Sequence, residues 1–270
     1  MVATPIGNLE DVTLRALRVL READLLLAED TRRTRTLLDR HGIAARPRSL
    51  HAHNEAARSD EVLEALAAGQ QVALVSDAGT PLVSDPGERL VARAVTAGHR
   101  VVPIPGASAA LAALVASGLP ADAFCFVGFL PRKAGERAAR LAALAERSET
   151  LILFESPRRV AGTLDELARA FGERRACVAR ELTKLHEELA RGTLAELRAR
   201  FGAALRGEVT IVVEGAPAEA KTTSPDALRE RVRALLAAGG SARDVATQLA
   251  RETGAPRRAI YAIAVDESRG

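Results

Sequence analysis

The chain has no tryptophan, one tyrosine and six phenylalanines, so aromatic residues make up only 3% of its 270 positions. A core built around large rings is excluded, and so is a broad platform of aromatics for stacking unpaired bases. Alanine, leucine and valine must fill the interior. Cysteine is nearly absent too: Cys125 and Cys177 stand far apart in apolar stretches. That spacing rules out a disulfide framework and any zinc or redox motif, and both thiols read as small buried hydrophobes in a reducing compartment. No apolar run approaches the ~20 residues that span a bilayer, the longest being an interrupted stretch over 107–115. With no secretory signal pattern at the start, the expectation is a cytoplasmic protein that does not enter membranes. Two phosphate-binding signatures are also missing. No G-x-G-x-x-G follows the first predicted strand and no G-x-x-x-x-G-K-[ST] occurs, which disfavours a dinucleotide oxidoreductase and a P-loop enzyme.

What remains is 47% hydrophobic and 27% charged, the balance of a folded globular chain. Lys and Arg number 38 against 35 Asp and Glu, a net charge of +3. The excess suits an anionic partner without requiring one. Apolar runs of strand length alternate with helical periods up to about residue 215. Strands are predicted over 1–4, 25–28, 48–51, 72–76 and 101–104, with helices over 11–22, 60–68 and 86–97 between them. Asp85 and Pro86 read as N-cap and first residue of the last of these, and Gly98 as its stop. After the Gly118-Leu-Pro break come strands over 124–128, 151–155, 176–180 and 209–214, with a helix from Ser156-Pro157 to Gly172. Such alternation predicts an α/β fold with a mostly parallel sheet covered by helices. The expected domains are α/β over 1–117, α/β over 118–215, and a small helical domain over 224–270 after an Ala-, Pro-, Thr- and Ser-rich linker at 216–225. In the tail, Ser241 should cap one helix, Gly254 end it and Pro256 open the next.

Ligands of open α/β sheets sit beyond the carboxyl ends of the strands. Five loops lie there: Thr4-Pro-Ile-Gly-Asn, Glu29-Asp-Thr-Arg-Arg, His51-Ala-His-Asn-Glu, Asp77-Ala-Gly-Thr-Pro and Pro105-Gly-Ala-Ser. Each has a plain reading when taken singly. Gly79 and Gly106 are ordinary turn residues, Asp77 and Ser108 caps, His53 a hydrogen-bonded structural residue, and Arg32, Arg33 and Arg35 a solvated face. Five Gly-, Pro- or polar-rich loops on one sheet edge make a site. Short glycine loops without a basic cradle permit a zwitterionic, phosphate-free ligand held by backbone groups.

These segments resemble the tetrapyrrole methylase superfamily. More narrowly, they are similar to its branch that methylates the 2′-oxygen of a cytidine in small-subunit (16S) ribosomal RNA. The resemblance rests on Val2-Ala-Thr-Pro-Ile-Gly-Asn-Leu-Glu-Asp, Ala28-Glu-Asp-Thr-Arg, His53-Asn-Glu and Val75-Ser-Asp-Ala-Gly-Thr-Pro-Leu-Val-Ser-Asp-Pro-Gly. It continues through Pro103-Ile-Pro-Gly-Ala-Ser-Ala, Phe129-Leu-Pro-Arg-Lys, Phe154-Glu-Ser-Pro-Arg-Arg, Arg180-Glu-Leu-Thr-Lys and Gly207-Glu-Val-Thr-Ile-Val-Val-Glu-Gly. It implies two α/β domains with S-adenosylmethionine in the cleft between them, usually in a homodimer. Carried over by position, the donor would meet Pro5, Asp77, Gly79, Thr80, Ser108 and Ala109, with Phe154, Glu155 and Ser156 on the second-domain side. Arg32, Arg33, Arg132, Lys133, Arg158 and Arg159 are assigned to RNA phosphates.

Methyl transfer to a ribose hydroxyl needs alignment and somewhere for the hydroxyl proton to go. The candidates are Glu29, Asp30, His53, Glu181 and Lys184, with an ion pair as the alternative role for the last two. No metal is implied. The acceptor would be ribosomal RNA presented in an assembled small subunit. Two rival readings stand beside this one: a tetrapyrrole C-methyltransferase, and a non-enzymatic nucleic-acid-binding regulator whose tail resembles a helix–turn–helix.

Overall fold

The computed structural model describes residues 1–51, 54–202, 205–217, 225–253 and 256–268. His53, most of the 216–225 linker, the expected domain start at 224 and Gly254 lie outside the described residues. The chain divides into two units, Met1–Gly215 and Ala216–Gly270.

In the first unit, strand β1 (Leu25–Ala28) is apolar and buried along its whole length, as a central parallel strand must be. It pairs in parallel with β2 (Pro47–Ser49) on one side and β3 (Val72–Val75) on the other. Around it run α1 (Leu14–Glu22), α2 (Thr31–Arg40), α3 (Glu55–Ala67) and α4 (Glu88–Thr96). α1 is capped by Thr13, whose hydroxyl accepts from the Ala16 N–H, and it turns Ala16, Leu17 and Leu20 onto the sheet.

The strands predicted at 1–4 and 101–104 are reduced to extended segments. The Val2 N–H donates to Leu74 O at 2.9 Å and the Ile104 N–H to Met1 O at 2.8 Å, so both add to the sheet beyond β3. Pro5 stops the first, while Pro103 and Pro105 remove the donors on either side of Ile104. The predicted cap at Asp85-Pro86 is also corrected. Gly87, at φ 118°, holds the cap position, and α4 starts at Glu88.

The second half of this unit contains α5 (Ala109–Ser117), β4 (Phe124–Phe129), α6 (Ala134–Ala145), β5 (Thr150–Glu155), α7 (Val160–Phe171), β6 (Arg175–Arg180), β7 (Glu188–Thr193), α8 (Leu194–Arg200) and β8 (Val209–Val213). The sheet order is β4-β5-β8-β6-β7. Only β4 and β5 run parallel; the other three pairings are antiparallel, against the mostly parallel expectation. The unforeseen strand is β7, which sits at the sheet edge with only Ala190 buried and so carries little apolar signal. β8 lies at the centre and all five of its residues are buried. One sheet face packs Leu153, Leu164, Leu167 and Ile211 under α6, α7 and α8, and the other packs Ile152, Cys177 and Val212 under α5.

The second unit comprises α9 (Pro225–Ala237), α10 (Ala242–Thr253) and α11 (Arg257–Glu267) around its own core of Leu228, Val232, Val245, Leu249, Ile260 and Ala264. Ser241 caps α10 as expected, its hydroxyl accepting from the Asp244 N–H at 3.2 Å. Among the described residues no helix is long and apolar enough to cross a membrane.

Candidate active site

The loop at 4–8 and the loop after β3 are tied backbone to backbone: the Thr4 N–H donates to Gly79 O and the Gly79 N–H back to Thr4 O, at 2.9 and 3.0 Å. Gly79 needs its φ of 80°, and Ile6 and Ala107 O already crowd the space that a Cβ would take. From there the chain runs through Leu82 at φ 73° and Ser84 at φ 71°, a left-handed excursion rare outside glycine. It turns Val83, Ser84 and Asp85 into a cavity of about 310 Å³.

Opposite walls of that cavity come from the start of α5, the end of β5 and the start of β8. Ser108 caps α5, its hydroxyl accepting from the Leu111 N–H at 3.4 Å, so the cap reading and the cavity position coincide. Phe154 packs edge-on against Phe126 and Phe129, with ring centres 5.0 and 5.8 Å apart. Phe129 shares the cavity wall and was not singled out in the sequence, although it opens one of the resembling motifs. Of the nine positions assigned to the donor, Gly79, Thr80, Ser108, Ala109, Phe154, Glu155 and Ser156 line this cavity. Glu155 does so with a saturated side chain. Its Oε1 accepts from the Ser156 N–H at 2.7 Å, its Oε2 from the Thr163 hydroxyl at 2.7 Å, and Arg159 Nε lies 3.4 Å away.

Pro5 and Asp77 line a second cavity of about 240 Å³, together with Gly7, Arg33 and Lys184. Asp77 accepts from the Asp30 N–H at 2.7 Å and faces Arg33 Nε at 3.6 Å. Gly7 seals the loop at 4–8 against the turn after β6: a Cβ there would lie 2.6 Å from Lys184 Cγ and 2.8 Å from Leu182 O. The Asn8 N–H also donates to the Thr183 hydroxyl at 3.0 Å. Ile6, Ala78 and Glu208 belong to the walls of both cavities.

The acid–base candidates fare differently. Asp30 caps α2 and is clamped by Arg32 at 3.0 and 2.7 Å, which draws its carboxyl down to about 2. Glu29 is pushed up, first by burial and then by the nearby Asp77 and Asp85 carboxylates. Asp85, absent from the sequence candidates, is raised by burial too, with a Ser76 hydrogen bond opposing and Asp77 adding. Glu181 is held low by Lys184, whose ammonium donates to it at 2.8 Å. Burial pulls Lys184 down, but its hydrogen bonds to Glu181 and Glu208 outweigh that and keep it above the ordinary lysine value. Neither cavity wall includes Glu29, Asp30 or Glu181.

The six basic residues assigned to RNA divide as well. Arg32 is taken by Asp30, Lys133 by Glu136 at 2.9 Å, and Arg159 by Glu155 and by Leu130 O at 3.3 Å. Arg33 faces Asp77 and, at 3.8 Å, Glu208. Arg132 and Arg158 are exposed and form no salt bridge among the described residues.

Residues 1–198 match the family described as Tetrapyrrole (Corrin/Porphyrin) Methylases. A protein of Mesorhizobium japonicum named Ribosomal RNA small subunit methyltransferase I is 53% identical over 262 residues, covering 97% of this chain and 89% of its own length. A Synechocystis protein of the same name is 46% identical over 269 residues, covering 98% and 96%. Among solved structures, a uroporphyrin-III-C-methyltransferase from Thermus thermophilus superposes with a TM-score of 0.58 at 24% identity, over 79% of this chain and 92% of that one. A diphthine synthase gives 0.58 at 19% identity, over 79% and 88%. At those identities the likeness is one of fold alone.

Proposed function

We propose that this chain, which belongs to the tetrapyrrole (corrin/porphyrin) methylase family and is a methyltransferase, methylates the 2′-oxygen of a cytidine in small-subunit ribosomal RNA. S-adenosylmethionine supplies an activated methyl group on a sulfonium centre when bound. The observation that carries the reading is the gathering of seven of the nine donor positions on one cavity.

The residues there suit the donor. Phe129, Phe154 and Val83 offer an apolar wall for an adenine ring, and Ser84, Thr80 and Ser108 offer hydroxyls. Asp85 places a carboxylate where a cationic ligand would be favoured, and that ligand would in turn favour its ionised form. The second cavity sets Arg33 and Lys184 beside Asp77 and Glu208, so its walls offer a nucleotide both donors for a phosphate and acceptors for a hydroxyl. Holding the two ligands in adjoining chambers provides the alignment that an in-line transfer requires. Of the six basic residues assigned to RNA, Arg132 and Arg158, exposed and without a salt bridge among the described residues, are the most available to phosphates.

The names of the relatives favour RNA over a tetrapyrrole as acceptor. An assembled small subunit as substrate places the work in the cytoplasm. A homodimer is supported by Leu111 and Val115, one turn apart on α5 and 48% and 77% exposed. Mass mapping of ribosomal RNA from subunits that lack the modification, before and after incubation with protein and donor, tests the reading. One added methyl on a cytidine ribose is expected; a methyl on a base carbon, or none, would overturn it.

A further inference from the structure

Glu208 is the one titratable residue, among those described, on the walls of both cavities. The other two shared residues, Ile6 and Ala78, have no side-chain group that can exchange a proton. Asp85 reaches only the larger cavity, and Asp77 and Lys184 only the smaller. We infer that Glu208 touches the acceptor hydroxyl and takes its proton, an inference that rests on the proposed ribose methylation.

The backbone around Glu208 is built to hold it. The Glu181 N–H donates to Glu208 O and the Glu208 N–H to Glu181 Oε1, both at 2.9 Å. Glu181 adopts φ 51° to do this, and Gly207 adopts φ 91°. The φ of Gly207 favours glycine, and a Cβ there would stand 2.4 Å from the Glu181 carboxyl and displace it from the Glu208 N–H. Glu181 is thus a positioning residue.

The side chain, unlike that of Glu155, keeps spare capacity. Oε2 accepts from Lys184 Nζ at 3.0 Å, Oε1 lies 3.8 Å from Arg33 Nη1, and 57% of the side chain is exposed. A carboxylate with two oxygens and about four acceptor sites can take a hydroxyl proton as well. As the ribose oxygen bonds the methyl carbon, the carbon–sulfur bond breaks and its electron pair stays on sulfur. The hydroxyl proton, made acidic by that bonding, passes to Glu208. Lys184 and Arg33 stay protonated, holding the carboxylate in place and offering charge to the adjacent phosphate.

Three variants of the full chain test this on small subunits that lack the modification. Glu208→Gln should bind the donor within about twofold of wild type yet lose ~100-fold or more in kcat, the low end of general-base effects. Glu208→Asp should fall between the two. With the demethylated product bound, wild type should prefer unmethylated over methylated subunits by about tenfold, one charged hydrogen bond's worth. Glu208→Ala should lose that preference. A folded Glu208→Gln at near wild-type rate, equal rates for Gln and Asp, or an undiminished preference in the Ala variant would overturn the role. Ribose left unmethylated by wild type overturns instead the reading on which it rests.

Discussion

Two carboxylates in this site illustrate how surroundings decide what such a group does. Glu155 is almost fully buried and every contact it makes is internal, to Ser156, Thr163 and Arg159. Its removal would strand a buried hydroxyl and an amide and leave the Arg159 guanidinium with Leu130 O alone. Glu155→Ala should therefore cost about 2–4 kcal/mol and lower the melting temperature by ~5–12 °C, read by calorimetry. A loss of donor affinity with an unchanged melting point would mean that the side chain faces ligand instead. Asp85 is the contrasting case. Burial raises its folded pKa, so the ionised form is the one disfavoured by folding. The stability it contributes is full below its unfolded value and is lost as pH rises through the folded one. Asp85→Asn keeps an acceptor for Ser76 and removes that loss. It should melt above wild type at neutral pH, with the two curves converging below about pH 4. A difference that persists in acid would show that charge is not its origin. A more stable variant that binds donor less well is the usual trade of an active-site carboxylate.

At the scale of elements, what holds the cleft together is the close approach of two turns at Gly7. A methyl group there meets the side chains of Lys184 and Thr183 and the backbone of Leu182. Gly7→Ala should force the loop at 4–8 away from the turn after β6, dropping methylation at least tenfold, while the sheets and their cores remain folded by circular dichroism. Rates within twofold of wild type would mean that the turns can part without consequence.

That contact was not legible in the sequence, and the reason is general. Thr4-Pro-Ile-Gly-Asn announces a turn and Arg180-Glu-Leu-Thr-Lys belongs to a resembling motif, but the two lie about 175 positions apart and neither carries a signal that they meet. The buried strands β1, β3, β5 and β8 were legible because both faces are covered and their residues are mostly apolar. β7 was not, because an edge strand with one buried residue reads as a polar loop. The donor positions were assigned through motif resemblance, and the two that fell into the other cavity, Pro5 and Asp77, lie in the same loops as those that did not. Glu208 sits inside a quoted motif yet gave no sign of its own, since only the meeting of two cavities singles it out. Charge partners were not legible either: Arg32 and Arg159 were assigned to RNA phosphates, and short-range carboxylates pair with both in the folded chain.

Taken whole, the molecule is two units with separate interiors, and this sets the last expectation. The tail buries Leu228, Val232, Val245, Leu249 and Ile260 against one another, and its Arg233 is paired bidentately with Glu267 at 2.6 and 3.0 Å. The α/β unit closes its own cores with residues before Gly215. A chain cut after Gly215 should therefore fold and bind the donor as the full chain does. Methylation of subunits should nevertheless fall by about tenfold or more, because Arg257 and Arg258 stand exposed at the start of α11, with Tyr261 one turn further on and 46% exposed. Cations at a helix start, beside amides that point outward, are suited to a phosphate backbone. Loss of two such contacts should also flatten the salt dependence of subunit binding, by roughly 0.7–0.9 in logarithmic slope for each phosphate. The competing role for the tail is simple support of the core. Support would appear as a sharp fall in melting temperature, with the surviving folded enzyme working at its former rate and its former salt slope. Replacing Arg257 and Arg258 by alanine in the full chain separates the two without cutting anything: lower subunit affinity with an unchanged melting point assigns the tail to RNA, and unchanged affinity removes that role.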